Sequence, residues 1–511
     1  MRPSNLSAIA CSLTAALLAP AAGLRGQMAD TPRAGAVLLE NARIVDGTGA
    51  PAFAGDVLVV DGLIAAVGEP GSVGFAGVGP VERVDLSGLV LAPGFIDIHN
   101  HSTGGIFDRP LAPSQIAQGI TTIVVGADGS SPWPIADFLD RVDEARPALD
   151  VATLVGHGTV RRAVLGDDYR RTATDTEIAD MTRRVERGVL EGAFGLSSGL
   201  EYDPGFYSST GELIALARGA GAHGGFYMSH LRDEEEGLLD AVDEAIRIGR
   251  EADLPVHISH IKAGNASVWG KSGEVLDRID GAVAEGLDVT ADQYPYTAWQ
   301  SGLGIVVRSR LYRDADSVAA GIAAVGGPER LQIVRHRANP SVNGLRLSQI
   351  AERWGTNPVD AYMRLMENGG SGVIGHTMSE QDVDAFMTSR RVMTASDGGI
   401  GSPHPRGAGT FPRVLAHYVR ERGLLTLERA IERATSMPAR RLGLDDRGVI
   451  RSGARADLVA FDPGTIADRS TFEEAGREAE GVRTVWVGGV RVWAEGRPTG
   501  ARPGRAVRHG S

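Results

Sequence analysis

Residues 94–101 read GFIDIHNH. Ile96 and Ile98 alternate with Asp97, His99 and His101, and in an extended strand residues i, i+2 and i+4 share a face. One face therefore carries a carboxylate and two imidazoles, while the isoleucines pack on the other side. Two imidazoles side by side on a rigid strand make a metal clamp. Taken alone they are equally well two ordinary polar residues at a strand end, and only the rest of the chain separates the two readings.

Working outward, the same kind of segment recurs. Apolar strands end near FIDIHNH, TTIVVGADG, VATLVGHG, FGLSSGLE, FYMSHLR, VHISHIK, DVTADQYPY and VMTASDG. Helical stretches lie between them, with start signals at Ser131-Pro132, at Thr174 with Glu177 and at Ser209 with Glu212. Eight strands alternating with helices predict an α/β fold, a TIM-like (β/α)8 barrel of parallel strands over residues 91–449. Residues of about 300–370 are surplus between the seventh and eighth strands and read as a partly helical insertion covering the barrel mouth. Outside the barrel the rhythm is that of β hairpins. Asp61-Gly62 sits between two apolar runs, and Gly488-Gly489 does the same near the other end. Residues 34–90 plus 450–511 are therefore expected to form one small β-sandwich domain from both chain ends.

The chain has 511 residues, 42% apolar and 23% charged, with a net charge of −12. That composition buries a large core, and its acidity argues against a general affinity for nucleic acid or anionic membrane. Arg2 precedes the apolar run LSAIACSLTAALL, and APA at 19–21 offers a cleavage site. Residues 1–26 thus read as a signal peptide of a periplasmic or secreted protein, with no later run long and apolar enough to span a membrane. The single cysteine, Cys11, lies inside this segment, leaving lipidation there open and the mature chain without thiolate chemistry. Only two lysines occur, Lys262 and Lys271.

In a barrel of this class the active site forms at the C-terminal ends of the strands. His99 and His101 end the first strand, Asp128 the second, His230 the fifth, His260 the sixth and Asp397 the eighth. Imidazole and carboxylate are the donors a Zn²⁺ site uses, and a carboxylate bridge supports two ions. His157, His223, His257, His336 and His417 read as satisfied polar residues; His257 is out of phase with His260. GLSSG at 195–199 fits a nucleophile elbow, but no serine-to-histidine order accompanies it. GSGVIG at 370–375 fits G-x-G-x-x-G but precedes a strand. DEEE at 233–236 reads as the first turn of a helix.

Together, APGFIDIHNH, GITTIVVG, GLSSGLEYDPG, SHLRDE, ISHIK, DQYPYTA, ASDGG, HPRGAGTFPRVL and SGARADLVAFD resemble the amidohydrolase superfamily and, within it, the N-acyl-D-amino-acid deacylase family. The resemblance implies a zinc-dependent barrel with one or two Zn²⁺, and metal ligands at His99, His101, His230 and His260. It makes Asp397 the general base and acid, and Lys262 the group that meets the substrate carboxylate. Tyr202 and Tyr294 become pocket residues, Arg308 or Arg310 a second carboxylate contact, and Met378 part of the side-chain pocket. One departure stands out. Family members carry a metal-binding cysteine in a GNCG-like turn after the second strand, where this chain has GADG with Asp128. A bridging carbamylated lysine is equally excluded there, since neither lysine lies on that strand. The implied reaction is hydrolysis of the amide of a small-molecule N-acylated amino acid of D configuration. Dipeptide cleavage, cyclic-amide opening and a non-catalytic ligand-binding role remain as alternatives.

Overall fold

A computed structural model describes residues 35–510; the signal expected over residues 1–26 lies outside them. Eight short parallel strands run in chain order: β1 Phe95–Asp97, β2 Ile120–Val125, β3 Asp150–Thr153 continued by Val155–Gly156, β4 Gly195–Gly199, β5 Phe226–His230, β6 Val256–Ile258, β7 Val289–Gln293 and β8 Val392–Thr394. Each pairs in parallel with the next. The ring closes where Asn100 bridges Gly398. There the Asp397 N–H donates to the His99 carbonyl (3.0 Å) and the His101 N–H to the Gly398 carbonyl (2.6 Å). Side chains repeat the closure: Asp97 accepts from the Ser396 N–H (2.8 Å) and hydroxyl (2.6 Å). The eight predicted strands are thus one closed barrel. β2 is buried along its whole length, as expected of a parallel strand covered on both faces.

Helices pack outside the ring, and their starts show how far local signals reach. Thr174 caps helix Asp175–Leu190 in a complete capping box with Glu177. Ser209 accepts from the Glu212 N–H at 3.1 Å, yet the Glu212 carboxylate turns inward to His157 Nε2 (2.8 Å) and Arg161. The Ser131-Pro132 signal misses its helix, which spans Ile135–Ala145 with Pro134 as N-cap.

Strands from both chain ends join in one continuous nine-stranded sheet. Both hairpin turns have two residues in the left-handed region, Asp61-Gly62 (φ 50° and 84°) and Gly488-Gly489 (φ 52° and 74°), as tight hairpins require. In the strand Leu458–Phe461 the pleat alternates between two cores. Leu458 and Ala460 join the sheet's own cluster with Leu39 and Trp486, while Val459 and Phe461 join the barrel core with Phe95. The expected small domain therefore shares a core with the barrel. The tail past the last strand runs back to β3, where the Val507 N–H donates to the Val151 carbonyl (2.9 Å).

The insertion is not only helical. Strands Trp299–Gly302, Leu331–Val334 and Gly372–Gly375 form an antiparallel sheet, with helices Ala315–Ala324, Leu347–Trp354 and Pro358–Glu367 around it. The glycine-rich run at 370–375 is itself one of these strands, because small residues let Trp299 pack against Gly375.

Candidate metal centre and active site

The six strand-end residues meet at one rim. His99 Nε2 lies 3.4 Å from Asp128 Oδ2 and 3.6 Å from Asp397 Oδ1. His101 Nε2 lies 3.4 Å and 3.0 Å from the same two atoms. The other Asp128 oxygen, Oδ1, lies 3.5 Å from His260 Nε2, which is itself 2.8 Å from His230 Nδ1. Asp128 thus offers Oδ2 to His99 and His101 and Oδ1 to His260.

These atoms fit an ion better than they fit each other. Zn–N and Zn–O bonds of about 2.0–2.2 Å in a tetrahedron hold neighbouring donors about 3.3–3.6 Å apart, the spacing found between His99, His101, His260 and Asp128. His99 Nε2 and Oδ1 of Asp128 are buried without a hydrogen-bond partner, a costly state that a cation relieves. Four donors from His99, Asp128, His260 and Asp397 lie within 4.8 Å of one another, and so do three from His230, Glu234 and His260. With Asp128 in place of thiolate the donor set is all nitrogen and oxygen, harder than a cysteine site but competent for Zn²⁺.

Backbone geometry aims these groups. Asp128 (φ 54°), His260 (φ 31°) and Asp397 (φ 45°) all occupy the left-handed region, unusual for residues with a Cβ and typical of over-determined functional turns. Behind them, Asp292 at the end of β7 lies 3.4 Å from His99 Nδ1 and accepts from His257 Nε2 at 2.9 Å. Carboxylates in this position fix the orientation of metal-binding imidazoles. His257 is satisfied, as its phase predicts, but through the carboxylate that orients His99.

Four further groups escape sequence reasoning. Arg406 Nη1 lies 2.7 Å from Asp397 Oδ2. Burial alone raises the Asp397 carboxyl, but Arg406 and the nearby imidazoles outweigh it and hold the group below the usual carboxylate range. Glu234 meets Lys262 Nζ at 2.5 Å and His260 Nδ1 at 3.1 Å, and Glu201 meets His230 Nε2 at 3.1 Å. Asp292 is the fourth. The DEEE reading is corrected here: the helix begins at Leu238, and Glu234 turns into the centre. HPRG, SHLRDE, EYDPG and DQYPY contain these residues, but no periodicity marks them as inward.

The remaining expected residues surround this core. The Tyr202 ring lies 4.4 Å from the His230 ring, tilted by 40°, and the guanidinium of Arg406 lies 4.6 Å over the Tyr294 ring. Lys262 is buried against Glu234, which outweighs desolvation and raises its proton affinity. Arg308 is paired with Asp233 at 2.5 Å. Met378 lies behind Tyr294, whose hydroxyl donates to its sulfur at 3.8 Å, and lines neither of the cavities that open on the centre.

Two cavities meet there, sharing Tyr202, Gln300, Ser301 and Asp397. The wide one, about 780 Å³, has His101 and Asp128 on its wall. The narrow one, about 30 Å³, is lined by His230, His260, Lys262, Arg308 and the apolar Ile305 and Val306. The insertion contributes to both.

Comparison with known proteins agrees with this geometry. The D-aminoacylase of Alcaligenes xylosoxydans xylosoxydans is 37% identical, aligned over 92% of this chain and 97% of its own. The N-acyl-D-aspartate deacylase of the same organism is 35% identical over 95% and 97%. The N-acyl-D-glutamate deacylase of Bordetella bronchiseptica, solved with zinc and a phosphonate mimic of the tetrahedral intermediate, superposes with a TM-score of 0.83 at 35% identity over 92% and 99%. Residues 82–493 match the profile of the Amidohydrolase family, and the chain belongs to that family.

Proposed function

We propose that the protein hydrolyses the amide bond of N-acyl-D-amino acids, releasing a carboxylate and a free D-amino acid. One observation carries the reading. A single buried carboxylate, Asp397, faces two imidazoles through Oδ1 and a guanidinium through Oδ2, where the two cavities join. The activities named for the relatives support the same reading.

His99, His101, Asp128, His230 and His260, with Oδ1 of Asp397, would hold one or two Zn²⁺. When bound, Zn²⁺ supplies Lewis acidity, lowering the pKa of water towards about 7 and polarising the acyl carbonyl. Arg406 keeps Asp397 ionised, so it enters the reaction as a base. It accepts the proton of the attacking water and returns it to the departing amine nitrogen. On the amine side, Lys262 orients the α-carboxylate and Arg308 shapes the space beyond it, while Met378 acts only from behind, through its contact with the Tyr294 hydroxyl. Tyr202 stands between the two halves of the substrate. Trp299, Ile305 and Val306 supply the apolar part of the narrow cavity's wall.

Export completes the proposal: Arg2, the apolar run and APA at 19–21 support cleavage inside residues 1–26, just after APA, and residence in the periplasm or outside the cell. N-terminal sequencing of protein recovered from cells reads this directly; an intact Met1 in the exported fraction contradicts it.

The decisive assay offers the zinc-loaded protein N-acyl-D-amino acids, their L enantiomers, dipeptides and cyclic amides. Preferential hydrolysis of the D series is expected. Preference for a dipeptide or a cyclic amide, or no turnover of any substrate by metal-replete protein, overturns the reading.

A further inference from the structure

The cations around the two cavities are not treated alike. In the narrow cavity Lys262 is paired with Glu234 and Arg308 with Asp233, both at 2.5 Å. In the wide cavity Arg406 is paired with Asp397 at 2.7 Å. Arg162 and Arg335 also line the wide cavity, and among the described residues neither has a carboxylate partner. Arg335 follows the strand Leu331–Val334 in left-handed backbone (φ 55°). Its Nη2 donates to the Gly401 carbonyl at 2.7 Å, and desolvation lowers its proton affinity with no acid to offset it. Arg162 projects from helix His157–Leu165, with its guanidinium 4.3 Å over the Tyr169 ring. The nearby Asp203 is engaged elsewhere, with the Tyr169 hydroxyl (3.1 Å) and Arg310 (3.5 Å).

Size points the same way. A cavity of about 780 Å³ falls in the range of about 300–1,000 Å³ that encloses a drug-sized ligand, far more than a two-carbon acyl group fills. Both guanidiniums are exposed on the cavity wall and carry no internal counter-charge, so they are free to meet a planar anion, in a chain whose net charge of −12 otherwise repels one. The α-carboxylate is assigned above to Lys262, beside the narrow cavity; that cavity, about 30 Å³, has room for about one water, so an extended acyl arm has space only in the wide one.

We infer that the wide cavity is a subsite for an extended acyl arm ending in a carboxylate, gripped by Arg335 and Arg162, so that the preferred substrates are mono-amides of dicarboxylic acids. This rests on the amide-hydrolase reading above. Water adds to the amide carbon, the C–N bond breaks, the proton goes to nitrogen, and the products are a dicarboxylate and the free amino acid.

The test uses full-length, zinc-loaded enzyme and three derivatives of one neutral amino acid, D-leucine: N-acetyl, N-succinyl and the uncharged succinamoyl isostere. N-acetyl-D-glutamate places the acid on the other half. The succinyl compound is expected to exceed its isostere in kcat/KM by at least about tenfold, the scale of one charge-assisted hydrogen bond. That ratio is expected to collapse in Arg335→Gln, fall in Arg162→Gln and partly return in Arg335→Lys. Arg278→Gln, remote from both cavities, controls for general damage. A ratio near one, or one insensitive to Arg335, overturns the inference. So does an Arg335 effect confined to N-acetyl-D-glutamate, which assigns the anion to the amino-acid half. If none of the compounds is hydrolysed, the proposed activity fails. Relative Kd values by calorimetry then still judge the subsite by the same ratio.

Discussion

Arg406 and Asp397 form a buried ion pair, Nη1 to Oδ2 at 2.7 Å, in which the carboxylate keeps its other oxygen turned towards His99 and His101. The pair explains how a buried acid stays ionised and available as a base. The arginine is itself held: its backbone N–H donates to His404 Nδ1 at 3.0 Å, and His404 Nε2 contacts the Ala298 carbonyl at 2.9 Å.

Replacing Asp397 by Ala is expected to lower kcat by about 10²–10⁴-fold, the usual contribution of a positioned acid–base group, while zinc content stays near wild type because the other five donors remain. Metal analysis and steady-state kinetics on the same preparation check this. Undiminished turnover removes the carboxyl from the mechanism.

Arg406→Gln removes the cation that lowers Asp397. A carboxylate that loses a neighbouring positive charge is protonated more readily, so its pKa rises. The acidic limb of the kcat/KM profile is therefore expected at higher pH than in wild type. A limb that stays in place or moves down dissociates the arginine from the proton transfer.

Asp128 faces three imidazoles, 3.4 Å from His99 and His101 and 3.5 Å from His260. Asp128→Asn is expected to reduce bound zinc and weaken what is left, whereas Asp128→Cys supplies a softer donor and shifts preference from manganese towards zinc. Elemental analysis after competitive loading decides; equal metal content in all three proteins refutes the bridge.

Glu212 is buried between His157 Nε2 (2.8 Å) and Arg161, and these partners hold its carboxyl below its ordinary value against the effect of burial. Glu212→Gln leaves the Arg161 charge uncompensated, a loss of about 3–5 kcal/mol for breaking a buried pair. Because the folded-state pKa is lowered, the wild-type contribution is present at neutral pH and lost as pH falls through that value. Urea midpoints measured at neutral and acidic pH report both effects; a midpoint unchanged at pH 7 contradicts them.

Much of this architecture is legible in the sequence, because its main signals are local. The first, second, fifth, sixth and eighth barrel strands lead into a residue too polar to bury without purpose, and Thr174 and the two glycine turns mark their elements directly. What escapes is long-range. Arg406 gains its role only from the return of Asp397 beside it. Asp292 matters through His99, nearly two hundred residues earlier in the chain. Glu234 belongs to an acidic run whose commonest use is a helix start, and only the position of Lys262 draws it inward. The insertion's sheet is hidden because its strands are short and pair across loops holding whole helices.

Closure of the barrel by Asn100, Asp397 and Gly398 also orders events during biosynthesis. By the time the ribosome has reached residue 391, five of the six donors exist, but the seam that sets His99 and His101 does not. The ion is therefore taken up only where that seam forms, and for the export proposed above that is the destination compartment, with its own metal pool, and not the cytosol.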